Sequence, residues 1–332
     1  MKKLVKLSIT LLMASSLFAC SANTTQTDTS SQTEVTSNQS SDATDNNQAT
    51  EGEITITHSK GTTTVKTNPK KVVVFDMGAL DIMDKLGVDA EFAVPVSSVP
   101  SYLPEYENAT NAGGIKEPDL ETIYTFAPDA IFISGRQSDY YDQLNEIAPT
   151  VYVDLDTTKY MEDLKTNVLN IGKIFGKEDL ALEEYNKIEI KVNEAKEKIS
   201  NIDDRALIIL TNSGKISAYG AGSRFGIIHD TLGFKEADEN MYADTEITTH
   251  GKEVSYEYIS EINPDILFVV DRDAVTGGES DATSTLNNDL VNNTNAGKNG
   301  KIVMLDPEVW YIVAGGLSSV NTMIDEATSV LQ

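Results

Sequence analysis

The sequence predicts an α/β protein of two similar lobes, each with a central sheet of parallel type, joined by one long α-helix. A duplicated stretch supports this prediction, because its two copies begin at Glu121 and Glu257 and stay 136 residues apart throughout. Each copy combines a short helical segment, a Pro-Asp pair and a β-branched run that ends at an arginine. The 332 residues, 40% of them hydrophobic, suffice to bury a core in each of two lobes.

The two copies also match in the residues that end them. Pro128-Asp129 corresponds to Pro264-Asp265, and Arg136 corresponds to Arg272. Strands of open α/β sheets end at the face where such sheets bind ligands. We therefore expect Arg136 and Arg272 to approach one shared cleft from opposite sides.

Residues 1–19 are predicted to be a signal peptide. Three lysines precede an apolar run from Leu7 to Phe18, which is too short to span the hydrocarbon of a membrane. The pattern resembles a bacterial lipoprotein signal, in which cleavage occurs before Cys20 and a diacylglyceryl group is attached to its sulfur. Two acyl chains suffice for stable anchoring. Cys20 is the only cysteine, so the fold has no internal disulfide.

Residues 20–52 are predicted to be the lipidated cysteine followed by a disordered tether. This segment is rich in Ser, Thr, Asn, Gln and Asp, and it has too little apolar area to offset the entropy of ordering. The N-terminal lobe is placed at 53–160. It is expected to begin with a hairpin of strands over 53–58 and 62–66, followed by a buried strand over 71–75 and a helix that stops at Gly87.

The connecting helix is placed at 161–178, where apolar residues recur at spacings of three and four and Gly176 closes the run. The C-terminal lobe is placed at 179–332 and begins with a second helix of the same rhythm. Its predicted apolar face comprises Ala181, Tyr185, Ile188, Val192, Ala195 and Ile199. A strand over 206–210 and a helix over 225–233 follow, and 240–249 and 273–289 are polar loops to which the sequence assigns no role.

The charge of the chain limits its partners. Its formal net charge is -26, which argues against nucleic acid or an anionic membrane surface as a direct partner, since both attract Lys and Arg. Against this acidic background the chain has four arginines, two of them at equivalent repeat positions. Such a placement suggests that these two arginines bind a ligand.

Three arginines are candidates for one anion-binding site. Arg224 lies in the glycine-rich turn 219–226 ahead of a helix, where backbone amides and its guanidinium are both expected to face an anion. With Arg136 and Arg272 it suits a compact ligand that carries several negative charges. The fourth arginine, Arg205, precedes a strand and is expected to be structural.

His250 and Tyr311 are weaker candidates on sequence grounds, because a loop histidine is usually solvated and a tyrosine beside a tryptophan usually packs. Together they would supply an imidazole and a phenolate, and a phenolate is a hard oxygen ligand suited to ferric iron. His58, on the first hairpin, and His229, within an apolar helix, are expected to be structural.

Several segments give the chain a family resemblance. The folded part resembles the catecholate-siderophore-binding lipoproteins of bacterial iron-uptake ABC transporters, of the ferric enterobactin and petrobactin type. The segments that match are Ser223–Asp230, His250-Gly251, Asn263–Asp265, Val269–Arg272, Lys298–Ile302 and Leu305–Tyr311. The resemblance runs from about residue 53 to the end and implies a class III periplasmic-binding-protein fold.

What the resemblance implies about the site is specific. Arg136, Arg224 and Arg272 match the arginines that surround the ferric catecholate anion. His250 and Tyr311 match residues that complete the coordination of Fe3+ when the siderophore is tetradentate.

The resemblance also implies a transporter partner and a place in the cell. Glu121 and Glu257 match glutamates that dock to arginine pockets on the permease subunits. The implied protein is a monomeric binding protein without a permanent cofactor, whose ferric siderophore is the transported ligand. A lipid on Cys20 would hold it at the outer face of the cytoplasmic membrane, as in a Gram-positive-type cell.

Two other classes of function were weighed. Binding of haem, cobalamin or a transition metal within the same superfamily is the alternative, although three histidines in unrelated settings make a zinc or manganese cluster hard to assemble. An enzyme is not expected, because the chain has no Gly-x-Ser-x-Gly nucleophile elbow and its lone cysteine is assigned to the lipid.

Overall fold

The computed structural model describes residues 52–244 and 246–331. The predicted signal peptide, Cys20 and most of the predicted tether lie outside this range. Within it, no helix is both long and apolar enough to cross a membrane.

A hairpin and a five-stranded parallel sheet form the first half of the described chain. The hairpin consists of β1 (Glu53–His58) and β2 (Gly61–Lys66), paired only with each other, as the alternation of the sequence predicts. The sheet has the order β5-β4-β3-β6-β7, and all its strands are parallel. Its strands are β3 (Lys71–Val74), β4 (Glu91–Val94), β5 (Thr110–Asn111), β6 (Ala130–Ile133) and β7 (Thr150–Tyr152).

Three helices accompany this sheet, and an aspartate caps two of them. They are α1 (Met77–Lys85), α2 (Leu120–Phe126) and α3 (Tyr141–Ile147). Asp76 caps α1 through the amide of Ala79, and Asp119 caps α2 through the amide of Thr122. Gly87 follows α1 with a φ of +61°, which confirms the predicted stop.

Two helices occupy the sequence between the sheets. The predicted connecting helix is shorter than expected, because α4 (Tyr160–Ile174) ends before Gly176, whose φ is +62°. The longer helix is α5 (Glu178–Ile199), and the six residues of its predicted apolar face are all buried. The two helices form a hairpin, and a Cβ on Gly172 would lie 2.5 Å from that of Ala181. This close approach requires glycine.

The second sheet is mixed, whereas a parallel one was expected. Its order is β11-β9-β8-β12-β13, with β10 beside β8. Its strands are β8 (Arg205–Asn212), β9 (Lys215–Tyr219), β10 (Lys235–Glu236), β11 (Lys252–Val254), β12 (Ile266–Asp271) and β13 (Ile302–Leu305). β8 and β9 are antiparallel because Ser213 and Gly214 both have positive φ, 52° and 75°, which makes a two-residue hairpin turn.

The helices of the second half are mostly short. They are α6 (Tyr256–Ile262), α7 (Asp273–Thr276), α8 (Ala282–Leu286), α9 (Asp289–Asn292), α10 (Asn295–Lys298) and α11 (Leu317–Thr328). The predicted helix over 225–233 is a π-helical turn at Ile227–Thr231. The loop 273–289 contains α7 and α8, and Asp281 caps α8 through the amide of Ser284.

The duplicated stretch folds in the same way twice. Its copies form α2 with β6 and α6 with β12, and the helices end at Ala127 (φ 52°) and Asn263 (φ 48°) just before proline. The carboxylate of Asp129 accepts from the backbone of the strand β3, and that of Asp265 accepts from the first residue of β8. The aspartate at the same position of each copy therefore links the repeat strand to the central strand of its sheet.

One apolar core runs through both halves. It contains Leu80 of α1, Ile188 of α5, Phe268 of β12 and Val320 of α11. The C-terminal helix α11 packs against both α1 and α5. A continuous core of this kind favours small motions of the lobes over wide opening.

Candidate functional site

Arg136 and Arg272 stand where their strands end, as the repeat predicts. Arg136 lies in the 3-10 turn Gly135–Tyr140 after β6, and Arg272 directly follows β12. Both reach a third segment, the π-helical turn Glu308–Val313 that follows β13. Their common partner there is Tyr311.

Tyr311 is contacted by three arginines. Arg136 Nη2 donates to its carbonyl oxygen at 2.6 Å, and Arg224 Nη2 donates to the same oxygen at 2.5 Å. Arg272 Nε donates to its phenol oxygen at 2.8 Å. The guanidinium carbon of Arg224 also lies 4.0 Å from the centroid of the ring, a cation–π contact. The predicted convergence of three arginines is thus present in the structure.

The segment that carries Tyr311 is anchored on both sides. Trp310 is fully buried and donates from Nε1 to Glu326 at 2.7 Å. Glu308 accepts from the backbone and hydroxyl of Ser101, in the first half of the chain, at 2.8 and 2.7 Å. π-helical turns are frequent at functional sites, where they re-aim side chains. Here the turn presents Tyr311 to arginines from both sheets.

The glycine-rich turn differs from the prediction in one respect. Two of its backbone amides, those of Ala221 and Gly222, are not available to a ligand, because they already donate to carboxylates of the chain. Gly222 N donates to Asp230 at 2.6 Å, and Ala221 N donates to Glu236 at 2.8 Å. For these two amides the expectation of anion binding is therefore wrong, and the turn contributes the guanidinium of Arg224 to the cluster.

Two residues near the arginines escaped the sequence reasoning. Asn212 ends β8 and accepts a hydrogen bond from Arg272 Nη1. Asp76, which caps α1, is an acidic neighbour of Arg136, and burial raises its pKa. Asn212 is the last residue of a central strand and Asp76 lies just after one, so the strand-end rule that predicted Arg136 and Arg272 would have found them too.

The electrostatics of the cluster favour an anion. Burial lowers the pKa of Arg136 and of Arg224, and the positive charge of Arg136 lowers that of Arg224 further. Burial alone would raise the pKa of Tyr311, but the hydrogen bond from Arg272 and the arginine charges outweigh it and lower that pKa. An anion beside the cluster would relieve the repulsion among the guanidinium groups.

His250 is not brought to Tyr311 by any contact in the described chain. It is exposed in the turn 248–251, and among the described residues it makes no hydrogen bond. The next residue, Gly251, has a φ of +69°, and a Cβ there would lie 2.7 Å from the ring of Tyr219. Tyr219 packs edge-on against Phe225, the neighbour of Arg224. The turn that carries His250 thus lies next to Tyr219, which in turn packs on Phe225 beside Arg224.

Glu121 and Glu257 occupy equivalent exposed positions. Each lies in the first turn of its repeat helix, α2 or α6. A hydrogen bond from the side chain of Ser255 lowers the pKa of Glu257, so that this carboxylate is charged. The two acids are available for contact with another protein.

The residues expected to be structural have structural contacts. His229 is buried and its Nδ1 pairs with the Phe234 carbonyl at 2.9 Å. Arg205 pairs with Asp265 at 3.5 Å. His58 Nε2 pairs with the Thr63 hydroxyl at 2.9 Å.

The sequence of the chain matches known proteins over most of its length. The pattern of the periplasmic binding protein family matches residues 72–309. The petrobactin-binding protein YclQ of Bacillus subtilis is 45% identical over 285 residues, which cover 84% of this chain and 89% of YclQ. The ferric-anguibactin-binding protein FatB of Vibrio anguillarum is 34% identical over 288 residues, which cover 84% of this chain and 88% of FatB.

Solved structures match the fold equally well. The crystal structure of YclQ has a TM-score of 0.81 and 42% identity, and the match covers 85% of this chain and 99% of that one. The crystal structure of the periplasmic catecholate-siderophore binding protein VctP from Vibrio cholerae has a TM-score of 0.78 and 35% identity, covering 84% of this chain and all of that one (100%). The family match includes both copies of the repeat and Arg136, Arg224 and Arg272.

Proposed function

This chain belongs to the periplasmic binding protein family, and from that membership we propose that it is the substrate-binding protein of an ABC importer. It captures a ferric catecholate siderophore in the cleft between its lobes and delivers it to the permease. The relatives named for petrobactin, anguibactin and catecholate siderophores support this choice of ligand. The supporting observation within the molecule is the convergence of Arg136, Arg224 and Arg272 on Tyr311.

The chemistry of the arginines suits this ligand. Iron held by three catecholates is a trianion, and iron held by two is a monoanion with two open coordination sites. A guanidinium stays charged and is weakly hydrated, so it can face catecholate oxygens in a partly buried cleft. The ring of Tyr311 adds an aromatic surface between two of the guanidinium groups.

We further propose that Tyr311 and His250 complete the coordination of Fe3+ when the siderophore offers only four oxygens. The lowered pKa of Tyr311 favours the phenolate, which is the form that binds ferric iron. The exposed turn that carries His250 would have to bring its imidazole toward Tyr311 on binding. The hexadentate tris-catecholate needs neither side chain.

Other ligands of the same superfamily form the alternative. Haem carries carboxylates that arginines would also bind, and cobalamin is bound by proteins of related architecture. A site for a bare transition metal is less favoured, because the described residues contain no group of three or more His, Cys, Asp or Glu side chains that could hold one. We also propose that the protein acts by binding and not by catalysis, since its relatives are named for what they bind. A lipid on Cys20 would place it at the outer face of the membrane.

Co-elution tests the proposed ligand directly. The protein is mixed with ferric tris-catecholate and passed through gel filtration, and the visible absorbance of the iron complex is expected to travel with the protein peak. Retention of haem but not of ferric catecholate would favour the alternative ligand.

The docking acids give a prediction on transport. Reversing both charges, Glu121→Lys with Glu257→Lys, is expected to abolish most siderophore uptake by cells because like charges would face the arginines expected on the permease. Siderophore affinity of the purified protein should stay within about twofold. Glu117→Lys with Glu261→Lys is the matched control, since Glu117 is exposed just before α2 and Glu261 is exposed in the last turn of α6. Normal uptake by the first double variant would contradict the docking role.

The proposed histidine ligand gives a prediction on pH. Protons compete with iron for an imidazole, so affinity for ferric bis-catecholate should fall as the solution becomes more acidic. His250→Gln should bind this complex more weakly at the higher pH and show a smaller acid effect. Comparison of the two proteins with one ligand removes the acid sensitivity of the catechols themselves. An equal pH dependence in both proteins would exclude His250 as a ligand.

Asn212 gives a prediction on positioning. Its amide oxygen fixes one arm of Arg272, and without it the guanidinium regains rotamer freedom that binding must remove. Asn212→Ala is expected to weaken ferric tris-catecholate binding about 2- to 10-fold, measured by isothermal titration. Asn108→Ala, an exposed asparagine away from the cleft, is the control. Unchanged affinity of Asn212→Ala would show that Arg272 is held by Tyr311 alone.

A further inference from the structure

We infer that Tyr160 is a positioning residue of the ligand site, which holds the turn that carries Tyr311 against the N-terminal lobe. Tyr160 is the first residue of helix α4. Within the described chain its hydroxyl contacts Ala314 and Met323, and it forms no hydrogen bond with Tyr311 or with the three arginines of the cluster. The inference rests on the proposed function, because it gives Tyr160 a part in binding the same ligand.

The phenol of Tyr160 reaches the end of the Tyr311 turn. Its hydroxyl donates to the carbonyl oxygen of Ala314, the residue directly after the π-helical turn Glu308–Val313, at 2.5 Å. The side chain of Tyr160 is buried, and burial raises its pKa, so the hydroxyl keeps its proton and acts as the donor. Its other neighbour, Met323 Sδ at 3.8 Å, is a weak acceptor. The Ala314 carbonyl is therefore the main partner of this hydroxyl.

Ala314 depends on such a contact because its backbone is strained. Its φ is 59° and its ψ is -12°, a left-handed conformation that favours glycine. A residue of another type stays in such a conformation only where its surroundings fix it. Two hydrogen bonds do so here. The Ala314 amide donates to the Val309 carbonyl at 2.8 Å, and the Ala314 carbonyl accepts from Tyr160. Loss of the second bond would let Ala314 relax toward negative φ and shift the turn before it.

The next residue also packs on the N-terminal lobe. A Cβ on Gly315 would lie 2.7 Å from Leu155 Cδ2, so that glycine is what lets the backbone come this close. The C-terminal lobe, by contrast, sends two long side chains to Tyr311, those of Arg224 and Arg272. A shift of the turn against the N-terminal lobe therefore changes the distance between Tyr311 and both of these arginines.

Removal of the hydroxyl tests the inference. Tyr160→Phe keeps the ring, and it is expected to weaken ferric tris-catecholate binding about 3- to 10-fold in isothermal titration, the effect of one hydrogen bond. Tyr185→Phe is the matched control, because Tyr185 of α5 is also buried and its hydroxyl also donates to a backbone carbonyl, that of Met161, at 3.4 Å. The control should stay within about twofold of the parent protein. Equal losses in the two variants, or no loss in Tyr160→Phe, would overturn the inference.

A second substitution tests whether Tyr160 acts through Ala314. Glycine adopts the left-handed conformation without strain, so a turn that carries Ala314→Gly should depend less on the Tyr160 hydrogen bond. In the Ala314→Gly background, Tyr160→Phe is therefore expected to cost no more than about twofold in affinity. A general packing defect would cost as much in this background as in the parent protein, and that result would contradict the inference.

Hydrogen exchange of the ligand-free protein separates this inference from the proposed function. In Tyr160→Phe the backbone amides of residues 308–316 should exchange about 3- to 10-fold faster, while those of the buried strand segment 206–210 should not change. Tyr185→Phe should alter neither segment. Unchanged exchange over 308–316 in Tyr160→Phe would overturn the inference whatever the ligand is. Faster exchange there, in a protein that binds neither catecholate complex, would support the positioning role and refute the proposed ligand.

Discussion

Arg224→Ala is expected to weaken the binding of ferric tris-catecholate by at least about 30-fold, and by up to several thousand-fold. Removing one partner of a partly buried charge pair costs about 2–5 kcal/mol. Arg224 also stacks on Tyr311 at 4.0 Å and donates to its carbonyl, so its loss loosens the residue on which the other two arginines converge. Isothermal titration measures the effect.

The charge of the ligand separates this prediction from a general packing defect. Ferric bis-catecholate, a monoanion, should lose less affinity than the trianion in the same variant, because the Coulomb energy scales with ligand charge. Arg224→Lys should be intermediate, since it keeps the charge but loses the planar stacking. Arg205→Ala, which breaks an outlying pair with Asp265, is the control. Equal losses for both complexes would refute an electrostatic role for Arg224.

Asp81→Ala is expected to destabilise the protein by about 3–5 kcal/mol. Asp81 is fully buried in α1 and accepts three hydrogen bonds: from the Tyr102 hydroxyl (2.9 Å) and from the backbone amides of Ser318 (2.8 Å) and Ser319 (2.7 Å). The two amides belong to the first turn of α11, whose unpaired donors and positive end the carboxylate satisfies. Alanine would leave three donors in the interior without an acceptor.

Thermal unfolding followed by circular dichroism measures this loss. The midpoint should fall by about 10 °C or more. Asp81→Asn should be milder, because its amide oxygen still accepts. Asp89→Ala is the control, since Asp89 is exposed and its 3.8 Å pair with Lys70 is a surface contact. A shift of Asp81→Ala no larger than that of Asp89→Ala would mean that α11 is held by its apolar contacts alone.

The architecture was predictable because short sequence patterns specify its helices and strands. The two copies of the repeat, with Pro128 and Pro264 before their strands, predicted the paired units α2–β6 and α6–β12. The spacing of apolar residues predicted the buried face of α5. Each of these signals lies within a few residues of the structure that it specifies.

The convergence of Arg136 and Arg272 was predictable from the strand-end rule and that of Arg224 from its glycine-rich turn, but the residue on which they converge was not predictable. Arg136 and Arg224 share the backbone carbonyl of Tyr311 because of the π-helical turn. No spacing of residues in the sequence predicts that turn. Asp81 and Ser318 are hydrogen-bonded although more than two hundred residues separate them in the sequence. Such contacts follow from tertiary packing, and a single sequence contains no local sign of them.

The mixed second sheet shows a similar limit. The run over 206–210 predicted a buried strand correctly, but the turn at Ser213-Gly214 decided that its successor would be antiparallel. The amides of Ala221 and Gly222 were assigned to a ligand because the acids that bind them, Glu236 and Asp230, follow only later in the chain. A glycine-rich turn indicates a tight backbone, but the residues that accept hydrogen bonds from its amides determine whether it can bind a ligand.

The account rests on the claim that the arginine cluster binds ferric catecholate. Trp310, the only tryptophan, is buried next to Tyr311 and reports on the cluster through its fluorescence. Titration with ferric tris-catecholate, ferric bis-catecholate, haem and zinc should give saturable quenching by both catecholate complexes, with tighter binding of the trianion, and little response to haem or zinc. No response to either catecholate complex, or tighter binding of haem, would contradict the claim that the arginine cluster binds ferric catecholate.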